Sequence, residues 1–165
     1  MVLKKVIFGF IFIFIGFSAN SQKTLDHLLD RYNRGDIPYI SVEELKMKLE
    51  KEKLVLLDAR KAEEFEVSHI RQASLFEESN ESHSLSNVDK DTEIIVYCSL
   101  GIRSEKAARK LKKAGFRNVR NLYGGIFEWK NKGYEVVNDE GEQTEKVHVY
   151  SENWSQWLNQ GEKIY

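Results

Sequence analysis

The chain of 165 residues contains very few residues that could cross-link or break it, with one cysteine and one proline. A single cysteine forms no disulfide within the chain and supplies too few thiolates for a cysteine-based structural zinc site. The formal net charge is −1, so the chain lacks the basic excess of a protein that binds duplex DNA. The four histidines are scattered, without the spacing of a metal site. We therefore expect no metal, no cofactor and no nucleic-acid partner.

Charge is absent from Val6–Phe17, an apolar run that follows two lysines. Small residues at Ala19 and Ser21 come next, an order typical of a secretory signal peptide that is cleaved before Gln22. The run is shorter than the roughly 20 residues of a membrane-spanning helix. We expect residues 1–21 to be removed on export, to the periplasm in a bacterium, which would leave no membrane span. An uncleaved N-terminal membrane anchor is the alternative.

The rest of the chain divides by composition into a helical lead-in (22–36), a main domain (37–138) and a polar linker with an apolar tail (139–165). Unbroken apolar runs at 54–57 and 94–97 predict strands that are covered on both faces, as in a parallel sheet. Helical patterns lie between the strands, and this alternation predicts an α/β domain with a mainly parallel sheet. The apolar tail predicts packing onto the domain or onto a partner.

The remaining elements of the domain have weaker or shorter patterns. Strands are expected at 73–76 and 119–122, and the clearest helix at 104–114, ended by Gly115. A capping box at 41–44 predicts the start of another helix, and apolar residues predict a short helix at 126–129.

Cys98 stands between a buried strand and a helix start. The loop that follows it consists of Ser99, Leu100, Gly101, Ile102 and Arg103. Open α/β sheets bind ligands at the carboxyl ends of their strands, and unpaired N–H groups at a helix N-terminus stabilise an anion. The pKa of a thiol at such a place should fall. Gly101 lets the loop curl, and Arg103 adds a positive charge whose N–H groups can bind an oxyanion. The pattern predicts nucleophilic attack by the Cys98 sulfur, with an inert buried cysteine as the alternative.

Four segments of the chain, in order, carry a family resemblance. They are 56–60 with 63–65, 68–73, 98–104, and 121–129 with 133–136. Their sequences are Leu-Leu-Asp-Ala-Arg with Glu-Glu-Phe, Ser-His-Ile-Arg-Gln-Ala, Cys-Ser-Leu-Gly-Ile-Arg-Ser, and Asn-Leu-Tyr-Gly-Gly-Ile-Phe-Glu-Trp with Gly-Tyr-Glu-Val. They resemble the motifs of single-domain rhodaneses, the thiosulfate sulfurtransferase family. The chain departs from the family pattern at Ser68 and Gln72, where glycines are usual.

The resemblance implies a rhodanese-like α/β fold, with a mainly parallel five-stranded sheet and helices on both faces. It implies that Cys98 takes sulfane sulfur from a small anion such as thiosulfate and passes it to cyanide or a thiol, which could be a protein thiol. The N–H groups of residues 99–103 would hold the resulting persulfide. Asp58 and Arg60 would brace the loop, and His69 would be structural.

Two other functions fit part of the pattern. Cysteine-dependent phosphatases use a similar loop, but theirs resembles Cys-x5-Arg, one residue longer than Cys98–Arg103. A rhodanese-fold persulfide carrier or protein-interaction module is the second alternative. Because Arg103 is the only charged residue of the loop, the sulfur donor and acceptor stay open.

Overall fold

A computed structural model describes residues 15–76 and 85–165, with side chains from residue 24 onward. The chain forms two compact units, residues 1–32 and 33–165. Within the first unit, helix α1 (Ile15–Tyr32) runs through the cleavage position predicted from the sequence. Most of the predicted signal peptide, residues 1–14, lies outside the described residues. None of the helices in the described ranges is long and apolar enough to cross a membrane.

A five-stranded parallel sheet forms the centre of the second unit. Its strands are β1 (Tyr39–Ile40), β2 (Val55–Asp58), β3 (Ser74–Leu75), β4 (Ile94–Tyr97) and β5 (Val119–Leu122). They lie in the order β1-β5-β4-β2-β3, and all four neighbouring pairs are parallel. The predicted α/β fold class is confirmed, and β4 takes the central position.

Helices follow the strands along the chain. They are α2 (Val42–Lys51), α3 (Ala62–Val67), α4 (Arg103–Lys113), α5 (Gly125–Asn131) and α6 (Glu152–Ser155). Helix α2 begins as the sequence predicts, because the Ser41 hydroxyl accepts the N–H of Glu44 at 3.1 Å. The Glu44 carboxylate binds Arg120 at 2.6 Å, which ties the start of α2 to β5.

Both faces of β4 are buried. Ile94 and Val96 lie in a core cluster with Leu111 of α4 on one face of the sheet. Ile95 and Tyr97 alternate with them, point to the opposite face and are also fully buried. Burial of each large apolar side chain contributes about 1.5–3 kcal/mol. The core therefore fixes β4 on both sides, and with it the residue that follows the strand.

The C-terminal segment packs onto the domain. It contains an antiparallel pair, β6 (Val136–Val137) with β7 (Gln143–Thr144), and a parallel pair, β8 (Lys146–His148) with β9 (Glu162–Ile164). Strand β8 packs against α3, and Val147, Val149 and Leu158 are buried. The segment 139–146, expected as a polar linker, includes β7 and reaches into β8.

The turn after α3 contains Ser68 and Gln72 at the positions where the family pattern has glycines. Gln72 adopts a left-handed conformation with a φ of 75°, which costs a residue with a Cβ about 1–2 kcal/mol. His69 exchanges two backbone hydrogen bonds with Val137, at 2.8 and 2.9 Å. Its ring stacks on Phe65 and its Nδ1 lies 3.0 Å from the Phe65 carbonyl oxygen. These contacts are those of a structural histidine.

Candidate active site

Cys98 directly follows β4 at the carboxyl edge of the sheet. Its side chain is buried, with 2% exposed. The Gly101 N–H donates to the sulfur at 3.2 Å, and the Ser104 hydroxyl oxygen lies 3.4 Å from it. The sulfur thus meets hydrogen-bond donors that a thiolate accepts better than a thiol does.

The surroundings of Cys98 favour the thiolate. Burial raises the pKa of the thiol, but the positive charge of Arg103 and hydrogen bonds from Ser104 and Gly101 outweigh it. The pKa of Cys98 therefore lies below its ordinary value of 9.0. A lowered pKa makes the nucleophilic form more abundant at neutral pH.

Helix α5 is hydrogen-bonded to the beginning of the Cys98 loop. The N–H of Ile126 donates to the Cys98 carbonyl at 2.9 Å, and that of Phe127 to the Ser99 carbonyl at 3.2 Å. A Cβ on Gly125 would lie only 2.2 Å from the Cys98 carbonyl oxygen. Glycine is therefore required where α5 approaches the loop.

Several backbone N–H groups of the loop take part in no backbone hydrogen bond to described residues. No backbone hydrogen bond between described residues uses the N–H of Leu100, Ile102 or Arg103. Helix α4 begins at Arg103, so the loop adjoins a helix N-terminus with its positive dipole end. This arrangement can stabilise an anion at or beyond the Cys98 sulfur.

Two asparagines fix the middle of the loop. The Gly101 carbonyl accepts hydrogen bonds from Asn121 Nδ2 at 2.8 Å and from Asn33 Nδ2 at 3.0 Å. Asn121 is fully buried, and its Oδ1 accepts the Ser104 hydroxyl at 2.7 Å. Gly101 itself has a φ of 110°, a conformation that side chains rarely adopt. The curl predicted from the glycine is therefore also held by the side chains of the buried Asn121 and the half-buried Asn33.

Arg103 is paired with Glu64 of α3. Its Nη1 and Nη2 donate to the two Glu64 carboxylate oxygens at 2.6 and 2.8 Å, and Nη2 also donates to Ser99 Oγ at 3.0 Å. Glu64 is 1% exposed; burial raises its pKa, but Arg103 brings the net pKa below 4.5. The N–H groups of Arg103 that we expected to bind an oxyanion therefore already donate to Glu64, and the Glu64 carboxylate compensates the charge of Arg103.

A cavity of about 120 Å³ opens at the loop. It is lined by Cys98, Ser99, Leu100, Ile102, Arg103, Tyr150 and Trp154. The guanidinium carbon of Arg103 lies 4.8 Å from the centre of the Tyr150 ring, within the range of a cation–π interaction. All predicted loop residues except Gly101 line this cavity, and two aromatic residues of the C-terminal segment close one side of it.

Asp58 and Arg60 form a separate buried pair at the end of β2. Arg60 Nε and Nη2 donate to the Asp58 carboxylate at 3.0 and 2.7 Å, and Nη2 donates to the Ser68 carbonyl at 2.5 Å. Both side chains are fully buried. None of their hydrogen bonds to described residues reaches 99–103, so the pair holds the turn after α3, and its predicted effect on the loop stays a prediction.

Sequence reasoning assigned no role to several residues of this site, Asn33 and Ser104 among them. Glu64 and Asn121 belong to the family motifs, but the sequence predicts no contact between them and the loop. The tail is predicted to pack onto the domain or onto a partner, but the sequence does not place Tyr150 and Trp154 at the cavity.

An acidic residue such as Glu64 in the first turn of α3 can pair with an arginine. The sequence does not indicate which arginine, because Arg103 is 39 residues away. The pairing depends on the fold.

Comparison with known proteins agrees with this geometry. Residues 41–132 match the family model of the rhodanese-like domain. The chain is 37% identical over 101 residues to the putative sulfur carrier protein YrkF of Bacillus subtilis, an alignment that covers 61% of this chain and 55% of that protein. It is 38% identical over 79 residues to the probable adenylyltransferase/sulfurtransferase MoeZ of Mycobacterium tuberculosis, covering 47% and 20%. The chain thus spans about half the length of the first relative and a fifth of the second.

Solved structures give the same result. The solution structure of a rhodanese-like domain from an Anabaena protein is 27% identical, with a TM-score of 0.56 and coverage of 61% of this chain and 79% of that one. The crystal structure of a rhodanese-like domain protein from Staphylococcus aureus is 29% identical, with a TM-score of 0.50 and coverage of 56% and 91%. The family model covers more than half of the chain, and the five-stranded parallel sheet agrees with these folds. The chain belongs to the rhodanese-like family.

Proposed function

We propose that the protein transfers sulfane sulfur through a persulfide on Cys98. The observation that carries the proposal is the buried Cys98 sulfur, which meets the Gly101 N–H at 3.2 Å at the start of a cavity. Relatives named as a sulfur carrier and a sulfurtransferase support the same chemistry.

In the first half-reaction the Cys98 thiolate attacks the sulfane sulfur of a donor. With thiosulfate, a bond forms between the two sulfurs, the sulfur–sulfur bond of the donor breaks, and sulfite leaves with the electron pair. In the second half-reaction an acceptor thiolate or cyanide attacks the outer sulfur. The Cys98 thiolate is then the leaving group, and the products are an acceptor persulfide or thiocyanate.

The loop around Cys98 suits the persulfide anion. The N–H groups of Leu100, Ile102 and Arg103 make no backbone hydrogen bond to described residues, and they belong to the same loop as the Gly101 N–H that donates to the sulfur. Preorganised donors of this kind stabilise charge that develops during a reaction without reorganisation at that moment. Cys98 would be the catalytic residue in the strict sense, and the loop would bind the transferred sulfur.

The test is transfer by the purified full chain. Protein incubated with thiosulfate should gain the mass of one sulfur atom on Cys98, and subsequent cyanide should remove it as thiocyanate. C98S should do neither. Sulfur transfer that survives in C98S, or hydrolysis of a phosphate ester in place of transfer, would contradict the proposal.

A persulfide carrier is the second candidate, because one relative is named a putative sulfur carrier protein. A carrier would take up sulfur on Cys98 but release it slowly to cyanide and quickly to a specific thiol. The ratio of these two release rates separates a carrier from a general sulfurtransferase.

We also propose that the protein works after export. The support is in the sequence alone, where an apolar run at 6–17 follows two lysines and precedes small residues. Protein isolated from its native cells should begin at Gln22, which can appear cyclised. A mature chain that begins at Met1 would contradict cleavage.

A further inference from the structure

The cavity at Cys98 combines one reactive sulfur with an apolar wall. Leu100 and Ile102 of the loop line it together with Tyr150 and Trp154 of the C-terminal segment, which we call the aromatic wall. Residues 150 and 154 lie outside the part of the chain that matches the family model, 41–132.

Hydrogen bonds fix the backbone at Tyr150. Val149 is buried and donates its N–H to the Ile164 carbonyl at 2.8 Å, which extends the pairing of β8 with β9. Tyr150 then adopts a left-handed conformation with a φ of 64°, and its N–H donates to His148 Nδ1 at 3.0 Å. A tyrosine in this conformation stores strain, which persists where the surrounding contacts impose it. These contacts direct the ring to Arg103 at the mouth of the cavity.

Charge at the cavity is largely compensated. Among the described residues that line the cavity, Arg103 is the one with a cationic side chain, and its guanidinium is held by both oxygens of the buried Glu64 carboxylate. A compact inorganic dianion entering the cavity would lose hydration to apolar walls and meet an arginine that is already paired. An apolar group would instead gain from burial against the two aromatic rings.

We infer that the cavity selects organic sulfur compounds whose sulfane sulfur is bonded to a sulfur that carries an apolar carbon group, and that Tyr150 and Trp154 set this selectivity. The inference rests on the proposed sulfur transfer by Cys98 and names its substrate class. The volume of about 120 Å³ is somewhat smaller than the roughly 150 Å³ of a closed cavity that holds benzene, and this cavity opens to solvent, so a short alkyl group or part of a small ring can enter it.

The transfer step balances for such a donor. The Cys98 thiolate attacks the outer sulfur of an organic persulfide, the donor's sulfur–sulfur bond breaks, and the organic thiolate leaves with the electron pair. An organic thiosulfonate reacts in the same way and releases a sulfinate. Its organic group would occupy the apolar wall while the transferred sulfur stays at the loop.

Benzenethiosulfonate and methanethiosulfonate provide matched probes, because they share the reacting atoms and differ in the apolar group. For the full chain, kcat/KM is measured for both and for thiosulfate through thiocyanate formation with cyanide. Each thiosulfonate value is divided by the donor's rate with glutathione to remove intrinsic reactivity. We expect the corrected benzene-to-methane ratio to exceed about tenfold, as burial of a phenyl group predicts.

Substitutions test whether Tyr150 and Trp154 cause the preference for the benzene donor. W154A and Y150A should each lower the benzene-to-methane ratio several-fold, W154F should restore most of it, and W157A, which changes a tail tryptophan outside the cavity lining, should leave it unchanged. A ratio near one in the wild type, or equal ratios in wild type and W154A, would overturn the inference.

The outcomes separate the two proposals. If no donor places sulfur on Cys98, the proposed function itself fails. If thiosulfate is used well and the benzene-to-methane ratio is near one, sulfur transfer stands and the inferred substrate class is wrong.

Discussion

The Ser104 hydroxyl oxygen lies 2.7 Å from Oδ1 of Asn121, and both side chains are completely buried. The same hydroxyl lies 3.4 Å from the Cys98 sulfur, so its single hydrogen has two acceptors. Asn121 donates through Nδ2 to the Gly101 carbonyl, which fixes its Oδ1 as an acceptor. The hydroxyl can therefore donate to Asn121 beside a thiol and turn to the sulfur beside a thiolate.

Replacement of Ser104 by alanine should raise the pKa of Cys98, because the thiolate loses a hydrogen-bond donor. The rate of alkylation by iodoacetamide, followed against pH, reports this pKa. S155A is the matched control, because the Ser155 hydroxyl donates to the Glu152 carbonyl and neither of these two residues lines the cavity. An alkylation profile that is the same in S104A and wild type would contradict the role given to this hydroxyl.

Replacement of Gly125 by alanine should destabilise the protein by about 3 kcal/mol or more, because the new Cβ would collide with the Cys98 carbonyl. Denaturant unfolding measures this loss. G141A separates collision from backbone strain. Gly141 also has a positive φ, of 80°, but a Cβ there meets nothing within 4 Å, so G141A should cost only about 1 kcal/mol. Equal losses in the two variants would contradict the explanation by collision.

Replacement of Glu64 by glutamine should make the stability less dependent on acid pH. The pKa of Glu64 is lowered in the folded protein, after Arg103 outweighs the effect of burial. A carboxyl group with a lowered pKa contributes stability that is present above about pH 4.5, its ordinary pKa, and is lost as pH falls through the folded-state pKa. Unfolding of wild type and E64Q, measured from pH 7 to pH 3, should converge at low pH.

The neighbouring residue gives the control for this comparison. Glu63 pairs with Lys61 at the surface, where both side chains are 63% exposed, and such pairs contribute about 0–1 kcal/mol. E63Q should follow the wild-type pH profile. E64Q should also lower the pKa of Cys98, because the carboxylate that compensates the positive charge of Arg103 is removed. A raised pKa in E64Q would show that Glu64 acts mainly by holding Arg103 in place.

Replacement of Gln72 by glycine should stabilise the protein by up to about 1 kcal/mol, because strain in the left-handed conformation exceeds the entropy that glycine gains on unfolding. The midpoint of urea unfolding measures the effect. Q156G should have the opposite sign, because Gln156 has an ordinary φ of −62°. A loss of stability in Q72G would indicate that the glutamine side chain makes up for the strain.

Several elements of the domain could be predicted from the sequence. Strands at 94–97 and 119–122 were predicted at the bounds that the structure has, and the helix predicted at 104–114 is α4, one residue earlier at each end. The edge strand β1 was not predicted, since two residues show no periodicity. Its pairing with β5 depends on contacts far along the chain.

The residues of the candidate site also fall into those that the sequence predicts and those that it does not. The Cys98 loop could be predicted, because its residues are consecutive and their chemistry is local. The partners of the loop could not, because Glu64, Asn121 and Tyr150 reach it from α3, β5 and the C-terminal segment. Only the packing of buried strands and helices brings them together.

The attachment of the aromatic wall after the family core has an evolutionary consequence. Residues that would carry the chemistry lie between 41 and 132, whereas the wall that faces them is encoded beyond that stretch. Mutations in the tail can therefore alter which compounds enter without touching the nucleophile or its hydrogen bonds. Descendants of one rhodanese-like core could acquire new substrates by exchange of a terminal segment.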